Sequence, residues 1–460
     1  MSEKHPNKSI VTRFPPSPTG LLQMGNVRTA IYNYLYAKKH GGKFIFRIED
    51  TDKERSTKEF ENELIENLRW LGLKWDNPTF IRQSERGEVY SSYIKKLIES
   101  GHAYISKETP KEEGQRSEVI RFKNPNKVLT FSDMVRDEIS FDTAELGDFV
   151  IAKSLTEPVY HLAVVIDDFE SGVTHVIRGE DHISNTPRQI LILEAIGAPR
   201  PIYGHLPLIL DTDRSKLSKR KHGEKISLKH HIEQGFLPEG IVNYMALLGW
   251  NPGTTDEIFT LTDLEKVFDI SKVQKSGAIY NEEKLRWTNK EHLKRKPTHW
   301  IQLEIEKYFE GSDILKEKKW KIKGDLVEKI TPVILDRISS FGDISGMMKA
   351  GELDYFFESP EYRAEDLVWK DEKDSKDTLL HIKEAIKLLD KATENDLSNS
   401  ANVKELLWNY ATEKGRGNVL WPIRYALTGK MKSPDPFTVI SIIGKDESIE
   451  RLKKAEKLLK

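Results

Sequence analysis

The segment Arg13–Asn26, RFPPSPTGLLQMGN, restricts the fold more than any other part of this 460-residue chain. It begins as the end of a strand and turns through three prolines, two glycines and the hydroxyls of Ser17 and Thr19. The helix-forming run VRTAIYNYLYAKKH follows at once. A strand that enters a rigid Pro/Gly turn and then a helix points backbone N–H groups and the positive end of the helix dipole into the crevice beyond the strand. Ser17 and Thr19 can add hydroxyl donors there. The segment reads as an anion site; the alternative is a tight strand–helix turn that holds no ligand.

Around it the pattern is α/β. SIVTRF (9–14) and GKFIFRIED (42–50) read as strands, with Ile31, Tyr34, Leu35 and Lys38 at helical spacing between them. That is a strand–helix–strand unit of the right length for parallel pairing. TKEFENELIENLRWLGL (57–73) predicts an amphipathic helix capped by Ser56 or Thr57, and EVYSSYIKKLIESG (88–101) a helix closed by Gly101. From about 105 to 150 the chain turns polar with short β-like pieces and reads as an insertion. DFVIAK, VYHLAVVIDD and VTHVIRGED then read as returning strand-like runs, before the helix TPRQILILEAIG (186–197), with Pro187 near its start, and the run IYGHLPLIL. After a basic loop the pattern is helical to about 290, and residues 291–460 are almost wholly helical, as in DTLLHIKEAIKLLDKA and VKELLWNYATEK.

Composition excludes several classes. The 72 basic and 73 acidic residues nearly balance, so net charge identifies no partner. With no cysteine there is no disulfide and no thiolate metal site. The 13 histidines show no metal-binding spacing, and the adjacent His230 and His231 read as surface residues. MSEKHPNKSIV has no apolar signal core, and no run of about eighteen apolar residues would span a membrane. A cytoplasmic protein is expected.

A second motif is DTDRSKLSKRKHGEK (211–225), with six basic residues in the thirteen from Asp213 to Lys225. No apolar periodicity anchors it, so it reads as a mobile, strongly positive loop shaped to close over a polyphosphate. Alone it would be a solvated charge run. Directly behind a strand-like run, and about 190 residues after an anion-binding turn, it is far more specific.

These residues resemble the signature regions of class I aminoacyl-tRNA synthetases, in the form of the bacterial-type glutamyl-tRNA synthetases. The family's PSPTG turn is intact at 16–20, and its His-Ile-Gly-His-type tetrapeptide reads Gln23-Met24-Gly25-Asn26. KLSKR (216–220) resembles the Lys-Met-Ser-Lys-Ser loop. FRIEDTDKERS (46–56), VYHLAVVIDD (159–168), VIRGEDHISNTPRQ (176–189) and the C-terminal LWPIRYALTGKMKSPDPFTVISIIGKDESIERL resemble further family blocks in the family's order.

The resemblance implies an α/β Rossmann-type catalytic domain with a short inserted α+β subdomain, followed by an all-α C-terminal anticodon-binding region. The expected boundaries are 1–104 and 151–210 for the two catalytic halves, 105–150 for a shortened acceptor-end insertion, 211–290 for the KLSKR loop with stem-contact helices, and 291–375 and 376–460 for the anticodon-binding parts. It implies ATP-dependent attachment of L-glutamate to tRNA(Glu) through a glutamyl-adenylate, by a monomer. Phosphoryl transfer of this kind needs positioning and charge stabilisation more than covalent help.

By the same resemblance Lys219, Lys216 and Gln23 are the catalytic candidates. Pro16, Gly25, Asn26, Lys216, Ser218, Lys219 and Arg220 bind ATP; at Gly25 a packing role for the glycine is the alternative. Arg13, Pro15, Ser17, Glu49, Tyr160 and Arg178 bind glutamate, with the arginines on carboxylates and Glu49 on the ammonium. Asp181 belongs to the acceptor-end pocket, and His182 reads as a structural histidine. Arg337, Ser433, Pro436 and Phe437 contact the anticodon. Glu49, Asp50 and Asp52 allow a metal reading, but Mg²⁺ is expected to arrive with ATP, and zinc is not expected.

Two positions depart from the family. Gln23 replaces the usual histidine and, unlike it, is always neutral. The insertion is short and holds no cysteine. These departures motivate a rival reading, a synthetase-like RNA-binding protein without catalysis; intact Lys216, Ser218, Lys219, Arg13, Glu49 and Arg178 oppose it. A shorter paralogue that modifies a tRNA base lacks the helical region, which residues 291–460 supply. Whether tRNA(Gln) is also charged stays open, with Arg337 tilting towards tRNA(Glu) alone.

Overall fold

The computed structural model describes residues 9–108, 117–322, 324–369 and 375–460. The part of the expected insertion at 109–116 and the first eight residues of the N-terminal reading lie outside these. The chain forms two compact units, Met1–His292 and Leu293–Lys460.

In the first unit β1 (Val11–Phe14), α1 (Met24–Lys39) and β2 (Lys43–Ile48) form the expected parallel unit, with Val11 opposite Lys43 and Phe14 opposite Phe46. All of β2 after Lys43 is buried, as a central strand requires. Thr57 caps α2 (Lys58–Trp70) by accepting the Phe60 N–H. β3 (Ile81–Arg82) runs parallel to β2. α3 (Gly87–Glu99) ends at Gly101, whose φ of +77° suits glycine.

β4 (Ala103–Lys107) and β5 (Glu118–Phe122) come next, followed by the hairpin of β6 (Val128–Asp133) and β7 (Asp137–Asp142). β8 (Phe149–Ser154) and β9 (Glu157–Pro158) close an antiparallel sheet in the order β4-β5-β8-β9.

VYHLAVVIDD, expected as a strand, is instead the core of α4 (Tyr160–Glu170). Leu162 to Ile166 are all buried there, and a helix buried on every side has the same continuous apolar run as a buried strand. β10 (His175–Gly179), α5 (Thr186–Ala195) and β11 (Ile202–Leu206) complete the second half. The sheet here has the order β10-β11-β6-β7, with Asp133 of the hairpin opposite Tyr203. The two parallel halves meet between β1 and β10, where the Thr174 N–H donates to the Val11 carbonyl at 2.9 Å. Strand order reverses at this point, and in open α/β sheets ligands bind beyond the strand ends at such a reversal.

β12 (Ile209–Leu210) leads through α6 (Lys219–His222), α7 (Leu228–Glu233), α8 (Pro238–Leu247) and α9 (Leu261–Val267) to its parallel partner β13 (Ala278–Ile279) and then α10 (Glu282–Leu293). His231, expected at the surface, is buried: its Nδ1 lies 2.8 Å from the Ser227 carbonyl and its Nε2 2.9 Å from the Tyr280 hydroxyl. Hydrogen bonding at both ring nitrogens offsets the cost of burying a polar ring.

The second unit holds helices and no strand among its described residues. Its helices are α11 (Thr298–Glu310), α12 (Asp313–Glu317), α13 (Leu326–Arg337), α14 (Asp343–Lys349), α15 (Ser375–Lys391), α16 (Ser400–Lys414), α17 (Arg416–Thr428), α18 (Pro436–Ile443) and α19 (Lys445–Leu459). Ile382, Ala385 and Leu389 make the buried stripe of α15 at helical spacing.

Candidate active site

A cavity of about 480 Å³ opens at the reversal of strand order. Arg13, Pro15, Pro16, Ser17, Gln23, Gly25, Asn26, Glu49, Tyr160, Arg178, Asp181, Lys216, Ser218 and Lys219 all line it. Arg220 is in the same loop but outside the wall.

The Pro/Gly turn is pinned from two sides. The Glu49 N–H donates to the Pro16 carbonyl at 3.0 Å, and the Thr57 N–H to the Pro18 carbonyl at 3.1 Å. α1 then starts with its first N–H groups lacking intrahelical acceptors. A Cβ added at Gly25 would meet nothing within 4 Å, so packing does not explain this glycine. The substituent would instead occupy the cavity. Gly25→Ala is expected to leave the melting temperature unchanged or raise it, because alanine is the better helix former. The same variant is expected to raise the KM for ATP about tenfold or more, a clash of ~1.4 kcal/mol. An unchanged KM would show that nothing approaches this backbone.

Gln23 turns its side-chain amide back onto the Leu21 carbonyl at 2.9 Å. Its Oε1 is buried without a hydrogen-bond partner among the described residues. The side chain thus offers the cavity a neutral amide with one of its two N–H donors already engaged.

Arg13 is buried and bonds the Asp168 carboxylate through Nε at 3.1 Å and the Ile177 carbonyl through Nη1 at 3.3 Å. Asp168 also accepts Arg47 Nη1 at 2.8 Å, and Arg47 Nη2 reaches Glu49 Oε1 at 2.9 Å. Arg47 is fully buried between these carboxylates. Asp167, beside it, takes Arg86, Tyr90 and Gln83 at 2.7 to 2.8 Å. Burial alone would raise the Asp168 pKa, but the Arg13 and Arg47 guanidiniums outweigh it and hold the carboxyl below its usual range. For Glu49 burial wins over Arg47, and its pKa rises. Asp50 and Asp52 face elsewhere: Asp50 accepts from Ser84, and Asp52 pairs with Arg55.

Arg178, also buried, has four neutral acceptors: His205, Gln189, Thr186 and the His182 carbonyl. Tyr160 places its hydroxyl 3.2 Å from His182 Nδ1. Burial, reinforced by Arg178, pulls His182 down to about 4, so its imidazole is neutral at pH 7.

The basic loop is held at several points. The Leu217 N–H donates to the Ile209 carbonyl, and its side chain packs on the core. Lys221 bonds Asp211 and Asp213. The expectation of a loop without anchors is corrected accordingly: one leucine and three charged groups tie it down. Lys216 pairs with Asp181 at 2.9 Å, whereas the Lys219 ammonium has no hydrogen bond or ion pair among the described residues.

In the second unit a cavity of about 530 Å³ brings Arg337 together with Ser433. Arg337 pairs with Glu352. Pro436 and Phe437 do not line this cavity; Pro436 begins α18, and Phe437 is buried with its ring centroid 6.2 Å from that of Trp408.

Sequence reasoning missed Arg47, Asp167 and Asp168. Their signal was present: a charge inside the apolar strand KFIFRI, and two acids ending the apolar run VYHLAVVIDD. A charge buried in such runs must be paired.

Residues 9–118 and 111–287 match the catalytic domain of class I tRNA synthetases for E and Q, and residues 304–456 match an anticodon binding domain. The chain is 39% identical over 480 residues to a glutamate–tRNA ligase of Aquifex aeolicus, covering 96% of this chain and 98% of that protein. It is 40% identical over 470 residues to glutamate–tRNA ligase 1 of Petrotoga mobilis, covering 97% of each. A crystal structure of a glutamate tRNA ligase from Elizabethkingia meningosepticum in complex with its amino acid shares the fold, with a TM-score of 0.86, 31% identity, and coverage of 98% of this chain and 100% of that one.

Proposed function

This chain belongs to the class I glutamate–tRNA ligases and attaches glutamate to tRNA, and on that premise we propose how its cavity carries the reaction. One observation supports the reading: the strand–turn–helix, the Arg178 strand and the Lys216–Lys219 loop, far apart in sequence, line a single cavity.

ATP lies over Gly25 and Asn26 with its phosphates towards Ser218, Lys219 and Lys216. Arg13 and Arg178 face the carboxylates of glutamate, and Glu49 faces its ammonium. A glutamate α-carboxylate oxygen attacks the α-phosphorus of ATP, the P–O bond to pyrophosphate breaks, and glutamyl-adenylate forms. A hydroxyl of the terminal adenosine of tRNA then attacks the acyl carbon, AMP leaves with the bonding pair, and the hydroxyl proton passes to the departing phosphate or to solvent. Lysines over the phosphates offset charge that grows on pyrophosphate as it departs. Mg²⁺ would come with ATP, held mainly by phosphate oxygens and water. Arg337 and Ser433 line the anticodon cavity for tRNA(Glu).

Since Glu49 must be ionised to hold an ammonium, its raised pKa has a consequence. As pH falls, Glu49 takes up its proton above the ordinary 4.5 of a glutamate. kcat/KM for glutamate, which reports the free enzyme, is expected to fall on acidification before an unperturbed carboxylate would titrate. Glu49→Gln is expected to raise KM and flatten that limb; an identical acid limb in the variant would remove Glu49 from this role.

Charging of purified tRNA(Glu) and tRNA(Gln) with labelled glutamate, ATP and magnesium tests the whole reading. Charging of tRNA(Glu) alone is expected. Charging of both would overturn the Arg337 argument, and charging of neither by folded protein would overturn the function.

A further inference from the structure

Arg178 is a buried cation whose hydrogen-bond partners are all neutral, in contrast to Arg13, which already pairs with Asp168. Nε donates to His205 Nε2 at 3.2 Å, Nη1 to Gln189 Oε1 at 2.8 Å, and Nη2 to Thr186 Oγ1 at 2.7 Å and the His182 carbonyl at 3.5 Å. Of the five guanidinium N–H groups these take four. The remaining Nη1 N–H, and the uncompensated charge, are left for an anion in the cavity that Arg178 lines.

Where that N–H points depends on the Nε bond together with those to Gln189 and Thr186. A histidine nitrogen accepts only when it carries no proton. His205 Nδ1 lies 2.6 Å from Asp133 Oδ2, and an ionised carboxylate has no proton to give. The ring proton therefore sits on Nδ1, and Nε2 faces Arg178 as an acceptor, with the Thr186 hydroxyl also 3.1 Å from it. Asp133 is itself fixed, because Oδ1 accepts the N–H groups of Val135 and Arg136 at 2.9 Å and that of His205 at 3.1 Å. Asp133, His205 and Arg178 come from β6, β11 and β10, three adjacent strands, with His205 directly opposite Arg178. His205 is 0% and Asp133 6% exposed, so water does not compete for these bonds.

We propose that Asp133 and His205 are positioning residues for glutamate selection: Asp133 fixes the Nδ1–H tautomer of His205, and His205 aims the Arg178 fork at a substrate carboxylate. The inference rests on the reading of Arg178 as a carboxylate-binding residue. It also ties the 105–150 segment, through Asp133, to the amino-acid pocket.

In Asp133→Asn the side-chain amide can donate to Nδ1, which drives the ring proton to Nε2, where it opposes the Arg178 N–H. The same logic governs the aspartate-to-asparagine change in a serine-protease triad. The expected result is a KM for glutamate at least tenfold higher, with kcat and the KM values for ATP and tRNA within threefold. His205→Leu, without an acceptor, is expected to match it, and His205→Gln, which restores a carbonyl, to recover part of the loss. Nitrogen-15 spectra of the full chain are expected to show His205 as Nδ1–H in the wild type and as Nε2–H in Asp133→Asn. An Nε2–H wild type, or KM values for all three substrates rising together, would overturn the proposal; should His205→Leu not fold, Asp133→Asn and the spectra decide alone. Arg178→Gln separates the two layers. If it leaves the glutamate KM unchanged, the reading of Arg178 fails. If it raises that KM while Asp133→Asn and His205→Leu do not, only the positioning role fails.

Discussion

Replacing Lys219 with alanine is expected to lower the rate of glutamate transfer to tRNA about 10²–10³-fold, or ~2.7–4 kcal/mol of transition-state stabilisation, the range for losing one preorganised electrostatic group. Lys219 is the cavity lysine whose charge no carboxylate among the described residues already compensates; Lys216 is paired with Asp181. Lys216→Ala is therefore expected to cost less. Lys219 is exposed and heads a four-residue helix, so the melting temperature should hold. Single-turnover charging of saturating tRNA separates a loss of rate from a loss of binding. A loss below about threefold would remove Lys219 from the transition state and leave the loop a structural element.

Arg47→Met is expected to destabilise the first unit by about 3–5 kcal/mol, the usual cost of removing one partner from a buried ion pair. Arg47 is fully buried and compensates Asp168 and Glu49 directly, with Asp167 at 3.9 Å. A methionine fills the space but leaves those carboxylates without their shared cation. Asp167 retains Arg86, Tyr90 and Gln83, and Asp168 retains Arg13; the loss falls most heavily on Glu49. Denaturant unfolding followed by probes in each unit should show an earlier transition for the first unit alone. Arg47→Lys, which keeps the charge but not the two-pronged geometry, should fall between. A shift under 1 kcal/mol would mean that the pocket's carboxylates are neutral or hydrated and that Arg47 does not hold them.

The chain's local rules determined much of this protein. Proline and glycine at 15–20 dictate a turn whatever surrounds them, and the following run can only be a helix, so the strand–turn–helix around Arg13–Asn26 was legible in sequence. The same holds for the helical last third, where stripes such as Ile382, Ala385 and Leu389 set one buried face. Many of the cavity residues between Arg13 and Lys219 were legible through motif, because each motif places its side chains at one end of one element, whereas Arg28, Thr29, Pro207, Leu208 and Ile209 were not picked out.

Tertiary structure alone decided the rest. VYHLAVVIDD became a helix because its surroundings bury it on every side, and a continuous apolar run carries no period to read. Phe437 became core against Trp408, since an aromatic serves a core as readily as an RNA base. Arg47 meets Asp168 across 121 positions, and His205 meets Asp133 across 72. Burial makes it obligatory that such groups find partners, but it does not say which. The choice belongs to the strand order, which brings the ends of β1, β2, β10, β11 and β6 to one place.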